Sequence, residues 1–178
     1  MKQEDILVSV NCITYNQKEY IEQCLDSIIM QQTNFRFEIL IHDDASTDGT
    51  DIILKEYEIK YPDMIRPIYQ TENKYSKGVD IWNTYQFPRA KGRYIAICEG
   101  DDYWSDPLKL QKQVDFMENN NQYAFCCHRF KIFDHELKTW NYDYIESIAP
   151  PIGNVEITKK NIFQDMGNTT INSPDPQR

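Results

Sequence analysis

The stretch that decides the fold is FEILIHDD, residues 37–44, and its counterpart is YIAICEGDD, residues 94–102. In both, a short apolar run stops at two adjacent aspartates, which is typical of a buried strand that ends at a functional rim. Ligands of open α/β sheets bind beyond the carboxyl ends of the strands. Adjacent carboxylates repel, so two such pairs at one crevice favour a divalent cation as counter-charge. The pattern predicts a metal-assisted site for a phosphate-bearing ligand.

Composition limits the classes of function. The chain has 178 residues, 40% of them hydrophobic, and a formal net charge of −9. These values favour one globular domain and argue against nucleic acid as a partner. No apolar run reaches the roughly 18 residues of a membrane span, and no signal-peptide pattern is found, so a cytoplasmic location is expected. The cysteines lack zinc-ligand spacing and are expected to be free, reduced and buried. They are Cys12, Cys24, Cys98, Cys126 and Cys127.

The apolar pattern predicts the element order β-α-β-α-β-α-β-α-β. This order indicates an α/β fold, with a mainly parallel sheet flanked by helices on both faces. A weaker helix is expected over residues 78–91, and another begins at Ser105-Asp106-Pro107, where an acidic cap precedes proline. The predicted strands are 6–13, 37–42, 64–69, 94–98 and 123–133.

The second acidic pair is the better candidate for metal binding. Asp101 and Asp102 closely follow Glu99, and three acids within four positions suit Mg²⁺ or Mn²⁺. Such a cation would bridge a diphosphate and stabilise the charge that develops on it as a leaving group. The alternative is a solvated acidic turn that caps the next helix.

The first acidic pair favours contact with the rest of a nucleotide. Small and hydroxyl residues such as Ser46 follow it, and they let the backbone approach a ligand. The Asp44 carboxylate can accept hydrogen bonds from a base N–H or a ribose hydroxyl. The alternative is that this stretch only caps the following helix, through Thr47 or Asp48.

Other chemical residues carry weaker signals. Tyr15 follows the first strand and would either stack on a nucleobase or simply pack. His42, His128 and His135 show no ligand or triad spacing, and surface or satisfied core positions are expected for them. GxGxxG and GxxxxGK[ST] motifs are both missing, which excludes the Rossmann dinucleotide and P-loop interpretations.

Taken together, these motifs resemble family 2 glycosyltransferases, which have the GT-A fold. Thr14-Tyr15-Asn16 is similar to the family's Pro-Thr-Tyr-Asn after the first strand. Residues 43–50 are similar to its Asp-Asp-Gly-Ser-Thr-Asp-Gly-Thr, with Ala45 in place of glycine. Residues 90–95 resemble the Ala-x-Gly-x-Tyr-Ile lead-in, and residues 99–102 match the Asp-x-Asp-Asp metal motif with glutamate first.

The resemblance implies an inverting transfer of a sugar from a nucleotide-diphosphate donor, often a UDP-sugar, to the hydroxyl of a glycan or lipid-linked acceptor. Surface polysaccharide synthesis is the expected setting. Asp44 would hold the base, with Tyr15 stacked near it, and Asp102 would be the main ligand of Mn²⁺ or Mg²⁺. The implied nucleotide-binding residues are Thr14, Tyr15, Asp44, Ser46 and Asp101, and the implied metal ligands are Asp102 and Asp101.

The second half of the chain resembles the family less. A nucleotide-sugar-binding domain is expected over residues 1–135, and residues 136–178 would form part of the acceptor side with a disordered tail. The family's general base is an acid after the fifth strand. Glu146 and Asp165 lie in that direction without a motif, so the base is unassigned. The chain is expected to be truncated at its carboxyl end, and peripheral association with the inner face of the membrane stays open.

Two other functions remain open. A non-catalytic nucleotide-sugar binding module would bind UDP and metal without transferring sugar. A phospho-acceptor receiver domain also places paired acids after an early strand. It would need another aspartate at the end of the middle strand, where residues 65–69 run into Gln70-Thr71.

Overall fold

The computed structural model describes residues 5–128, 132–134 and 138–141. The chain divides into two compact units, Met1–Phe116 and Met117–Arg178. The predicted domain boundary at residue 135 stays a prediction. Within the described residues, no helix is long and apolar enough to cross a membrane.

The first unit is built on a four-stranded parallel sheet. In the order β3-β2-β1-β4, its strands are β1 (Ile6–Thr14), β2 (Arg36–Asp43), β3 (Ile65–Tyr69) and β4 (Tyr94–Ile97). Thr14 lies opposite Asp43 on β2, and Asn11 lies opposite Ile97 on β4. The chain moves outward from β1 to β3 and then returns to the other side of β1. The predicted parallel α/β sheet is therefore confirmed over its first four strands.

Three α-helices supply the apolar core against one face of the sheet. They are α1 (Ile21–Ile29), α2 (Thr50–Lys60) and α3 (Lys109–Asn119). Alternate residues of β1, such as Val8 and Val10, belong to the same buried apolar cluster as the inner face of α1. This alternation follows from the two-residue period of a strand, which turns every second side chain to the same side.

The opposite face of the sheet is covered by tighter helical turns rather than by the predicted α-helix. A π-helical turn over Trp82–Gln86 is followed by a 3₁₀ turn over Phe87–Arg89. The buried Gln86 amide donates to the carbonyls of Cys12, at 2.8 Å, and Leu40, at 3.0 Å. Pro88 lacks an N–H donor and disfavours a regular α-helix. The helical segment was predicted correctly, but its type was not.

The amino end of β4 lies very close to β1. The backbone N–H of Gly92 donates to the Ser9 hydroxyl at 2.8 Å, and this hydroxyl donates to the buried Glu38 carboxylate at 2.8 Å. A Cβ on Gly92 would lie 2.4 Å from the Ser9 nitrogen. Only glycine allows this approach.

The fifth predicted strand is wrong over most of its length. Residues 123–128 are not in a strand, whereas β5 (Ile132–Asp134) pairs antiparallel with β6 (Thr139–Asn141). Tyr123 and Phe125 are 50% and 47% exposed, so this apolar stretch is not a buried strand. The hydrophobicity of residues 123–128 predicts burial, but these residues are not buried in a strand.

The cysteines are free, as predicted. Cys12, Cys24 and Cys98 are buried, whereas Cys126 is partly buried and Cys127 is exposed. The expectation that all five are buried is therefore wrong for the last two.

Candidate functional site

The site lies where the order of strands reverses. β2 and β4 flank β1, so the loops after β2 and β4 rise on either side of the end of β1. Strands in a sheet are spaced about 4.8 Å apart, which places the ends of β2 and β4 about 10 Å from each other. A crevice at such a reversal point is the usual ligand site of an open α/β sheet. The two acidic loops thus share one edge of the sheet.

The loops after β1 and β2 are joined by hydrogen bonds. The Asn16 N–H donates to the Ser46 hydroxyl at 2.9 Å, and the Thr47 N–H donates to the Asn16 Oδ1 at 2.8 Å. The Ser46 hydroxyl also donates to the buried Asp43 carboxylate. In this arrangement Ser46 holds the two loops together, and its predicted contact with a nucleotide stays a prediction.

Two residues in these loops adopt left-handed backbone conformations. Asn16 has φ of 52° and Ala45 has φ of 66°. Asparagine enters this region more readily than most residues, whereas alanine is disfavoured there by its Cβ. The strain at Ala45 coincides with the position at which the family resemblance has glycine.

The start of α2 differs from the capping alternative, because its N-cap residue is Gly49, without a side-chain cap hydrogen bond, and Asp48 directly precedes it. Oδ1 of Asp48 accepts hydrogen bonds from the Thr50 N–H and hydroxyl, at 2.9 and 2.6 Å. Oδ2 accepts the Lys18 N–H at 3.0 Å. Desolvation raises the pKa of Asp48, but these hydrogen bonds outweigh it and lower that pKa overall. Gly49, with φ of 100°, supplies the left-handed residue at the start of the helix.

Asp44 is almost completely buried at the edge of the sheet, with 1% of its surface exposed. Its carboxylate accepts the backbone N–H groups of Lys74, at 2.8 Å, and Tyr75, at 2.9 Å. It therefore holds the segment after β3 against the crevice. A nucleobase could reach this carboxylate only if that segment moved.

His42 occupies a core position, one of the two outcomes expected for it, but its contact with Asp44 was not predicted. Its ring is fully buried, with Nε2 3.3 Å from Oδ1 of Asp44 and the ring centroid 5.1 Å from that of Tyr85. Burial lowers the pKa of His42 despite the hydrogen bond and charge of Asp44. The neutral ring orients Asp44 by donating from Nε2. Its position directly before Asp43-Asp44, in an otherwise apolar run, was the only available signal.

The loop after β4 packs against the end of β1. The Gly100 N–H donates to the Ile13 carbonyl at 3.0 Å. A Cβ on Gly100 would lie 2.4 Å from Gln17 Oε1 and 2.8 Å from both Cβ and Oγ1 of Thr14. Among the described residues, neither the buried Thr14 hydroxyl nor Gln17 Oε1 has a hydrogen-bond partner. The two loops thus enclose polar atoms that a ligand or water would satisfy.

The loop after β4, residues 99–102 and here called the acidic loop, has the electrostatic character of a cation site. Asp101 and Asp102 are exposed, and the Asp102 N–H closes a turn onto the Glu99 carbonyl at 3.0 Å. Desolvation by the surrounding protein, together with the charges of Asp101 and Asp102, raises the pKa of Glu99. Crowded carboxylates of this kind favour a positive counter-charge.

The donor set fits a cation shared with a ligand. In the part of the chain that the structure describes, no group of three or more His, Cys, Asp or Glu side chains is arranged to hold a metal ion. Mg²⁺ is commonly held by one or two carboxylates together with phosphate oxygens and water. Asp101 and Asp102, which are adjacent and exposed, would supply those two carboxylates.

Three further predicted residues have different outcomes. Tyr15 is 45% exposed at the end of β1, where its ring can contact a ligand. Glu146 and Asp165, considered as bases, lie outside the described residues. The role of each stays a prediction.

The chain is similar in sequence to known proteins. The model of Glycosyl transferase family 2 matches residues 9–175. TuaG of Bacillus subtilis, whose name assigns it to teichuronic acid biosynthesis, is 40% identical over 111 residues, 62% of this chain and 42% of TuaG. WfaP of Escherichia coli is named a UDP-Glc:α-D-GlcNAc-diphosphoundecaprenol β-1,3-glucosyltransferase. It is 39% identical over 113 residues, 63% of this chain and 41% of WfaP.

Solved structures support the same fold. Staphylococcus aureus TarS 1-349 in complex with UDP has a TM-score of 0.55 and 27% identity, covering 65% of this chain and 33% of that one. The mannosyltransferase PcManGT of Pyrobaculum calidifontis, in complex with GDP-Man and Mn²⁺, has a TM-score of 0.55 and 26% identity over the same shares. The chain spans 35% to 42% of the length of curated relatives such as TuaG. The parallel sheet with its flanking helices is a GT-A fold, and the chain belongs to glycosyl transferase family 2.

Proposed function

We propose that this chain is the donor-binding part of an inverting glycosyltransferase that transfers sugar from a UDP-sugar to an acceptor hydroxyl. The observation that carries the proposal is the packing of the acidic loop, through Gly100, against Thr14 at the end of β1. This contact supports the proposal because it brings the loop that carries Asp101 and Asp102 beside the end of β1, where open α/β sheets bind their ligands. The UDP in the TarS complex and the UDP-Glc in the name of WfaP support uridine as the base.

Residues in the loops after β1 and β2 bind the nucleoside part of the donor or hold the site around it. Tyr15 stacks on the base, and the Thr14 hydroxyl, which is unpartnered among the described residues, donates to the nucleotide or to a bridging water. Asp44 acts on the base side by fixing the segment at Lys74 and Tyr75. Ser46 keeps the rim closed by joining the loops after β1 and β2.

The acidic loop serves the diphosphate. Asp102, assisted by Asp101, holds Mn²⁺ or Mg²⁺, as the Mn²⁺ in the PcManGT complex suggests by analogy. When bound, the cation neutralises the charge that develops on the departing diphosphate. The acceptor oxygen forms a bond to the anomeric carbon as the bond to the diphosphate oxygen breaks. A carboxylate base takes the acceptor proton, and this base is still to be identified.

Surface polysaccharide or glycan assembly is the setting that we propose. TuaG is named for teichuronic acid biosynthesis, and WfaP for transfer to a diphosphoundecaprenol-linked sugar. A lipid-linked acceptor would bring the protein to the inner face of the membrane, as a peripheral protein.

Calorimetric titration of UDP, with and without Mn²⁺, tests the proposal. We expect Mn²⁺ to strengthen UDP binding in the wild-type chain, and Asp102→Asn to remove that gain. GDP and dTDP, titrated under the same conditions, determine the base preference. Metal-assisted binding that persists in Asp102→Asn would refute the metal assignment. A UDP affinity that does not respond to Mn²⁺ in the wild type would refute the proposed site.

A further inference from the structure

The segment that contains the acidic loop is fastened to α1 on both sides of the loop. Asp101 and Asp102 are exposed and lie between Glu99 and Trp104, both of which contact residues of α1. The charges of Asp101 and Asp102 act on the neighbouring Glu99, so keeping these three carboxylates close together costs electrostatic free energy. What holds its ends therefore determines how well its carboxylates are positioned.

Three side chains, spaced three and four residues apart along the helix, attach this segment to α1. Residues 24, 27 and 31 lie on one face of α1 and the turn after it. The Cys24 thiol contacts the Glu99 carbonyl at 3.3 Å, and the Ser27 hydroxyl accepts the Trp104 N–H at 3.0 Å. The Ser27 hydroxyl is itself oriented because it donates to the Cys24 carbonyl at 2.7 Å.

Gln31 holds the segment further along. Its Nε2 donates to the Asp106 carbonyl at 2.8 Å, and its Oε1 accepts the Leu110 N–H at 3.0 Å. Gln31 is buried. Buried hydrogen bonds of this kind keep a loop in one arrangement, because each broken bond leaves a desolvated polar group.

The Cys24 thiol stays protonated, so it can donate a hydrogen bond. Its contact with the Cys12 thiol, together with burial, raises the pKa of Cys24 far above its usual range. The thiol is therefore uncharged at neutral pH and acts as a donor rather than as a nucleophile.

We propose that Cys24, Ser27 and Gln31, here called the α1 clamp, are positioning residues that hold Asp101 and Asp102 in the arrangement needed to share a cation with a diphosphate. This inference rests on the proposed function and extends it to residues that touch neither cation nor nucleotide. The α1 clamp acts on the metal-assisted component of binding, whereas the base side of the site is held by Asp44 and Ser46.

The test compares UDP affinity at saturating Mn²⁺ with that in EDTA, for the 178-residue chain and its variants. The ratio of the two affinities measures metal assistance, and partial unfolding lowers both affinities without changing their ratio. We expect Ser27→Ala and Gln31→Met to lower the ratio roughly 10-fold, the lower end of the effect of removing groups that orient metal ligands. Ser27→Thr keeps the hydroxyl and should restore the ratio.

Ser9→Ala is the matched control. It also removes a buried serine hydroxyl that accepts a backbone N–H, but at the far end of β1, and it should leave the ratio unchanged. An unchanged ratio in Ser27→Ala, or an equal loss in Ser9→Ala, would overturn the α1 clamp. Gln31→Met decides the matter if Ser27→Ala does not fold. A wild-type chain without metal-assisted binding would overturn the proposed function and the α1 clamp with it, which is a distinct result.

Discussion

Gly100→Ala tests the contact between the acidic loop and the end of β1. The added Cβ would lie 2.8 Å from the Thr14 Cβ and 2.4 Å from Gln17 Oε1, whereas comfortable carbon contacts are about 3.5–4.0 Å. The end of the Gln17 side chain can rotate away. The Thr14 Cβ cannot, because it is fixed to a central strand. The acidic loop must therefore shift by about 1 Å.

Two consequences of that shift can be measured. Forcing an extra carbon into a packed site costs about 1–3 kcal/mol of folding free energy, which urea unfolding would detect. A displacement of this size at a positioned site costs up to roughly 100-fold in function. We expect the Mn²⁺-assisted affinity for UDP to fall by at least ~10-fold when measured calorimetrically on folded protein.

Gly92→Ala separates the two consequences. Its Cβ would clash with backbone, 2.4 Å from the Ser9 nitrogen and 2.6 Å from the Val8 carbonyl carbon. This position is at the amino end of β4, away from the crevice. The variant should lose at least as much stability as Gly100→Ala and keep wild-type UDP affinity per folded molecule. A folded Gly100→Ala chain with unaltered Mn²⁺-assisted binding would refute the reasoning.

Two further predictions concern stability. Ala45→Gly should stabilise the chain by about 0.5–1 kcal/mol in urea unfolding, because relief of the left-handed strain exceeds the entropic cost of glycine; a destabilised variant would contradict this. His42 has a folded pKa below its usual 6.5, so the unfolded chain binds the proton first and stability should fall as the pH drops below roughly 6.5. His42→Gln should flatten that part of the pH profile of unfolding free energy, and an unchanged slope would show that other groups cause it.

The main elements could be predicted because their signals are local. Each of the first four strands is a short, mostly apolar run, and the runs 37–42 and 94–98 stop abruptly at charged residues. Parallel pairing then follows from the helices between them. Because β2 and β4 are both parallel to β1, the acidic loops that follow them lie at the same edge of the sheet.

The rest depends on contacts between distant parts of the chain. The hydrogen bonds from residues 74 and 75 to Asp44 join positions about thirty residues apart in the sequence, and no periodic pattern records them. The π-helical turn at Trp82–Gln86 forms where Gln86 reaches the carbonyls of two strands. Local propensity could not indicate that partner. The strand prediction for residues 123–128 was wrong because it relied on local composition alone. This stretch is strongly apolar, yet Tyr123 and Phe125 are exposed.

The attachment of the segment after β3 has an evolutionary consequence. The Asp44 carboxylate accepts hydrogen bonds from the backbone N–H groups of Lys74 and Tyr75. Every amino acid except proline has such an N–H group. The side chain of Tyr75 points outward with 74% of its surface exposed. Substitutions other than proline at these two positions therefore keep both hydrogen bonds to Asp44, so the side chains of this segment can vary between relatives while the scaffold stays the same.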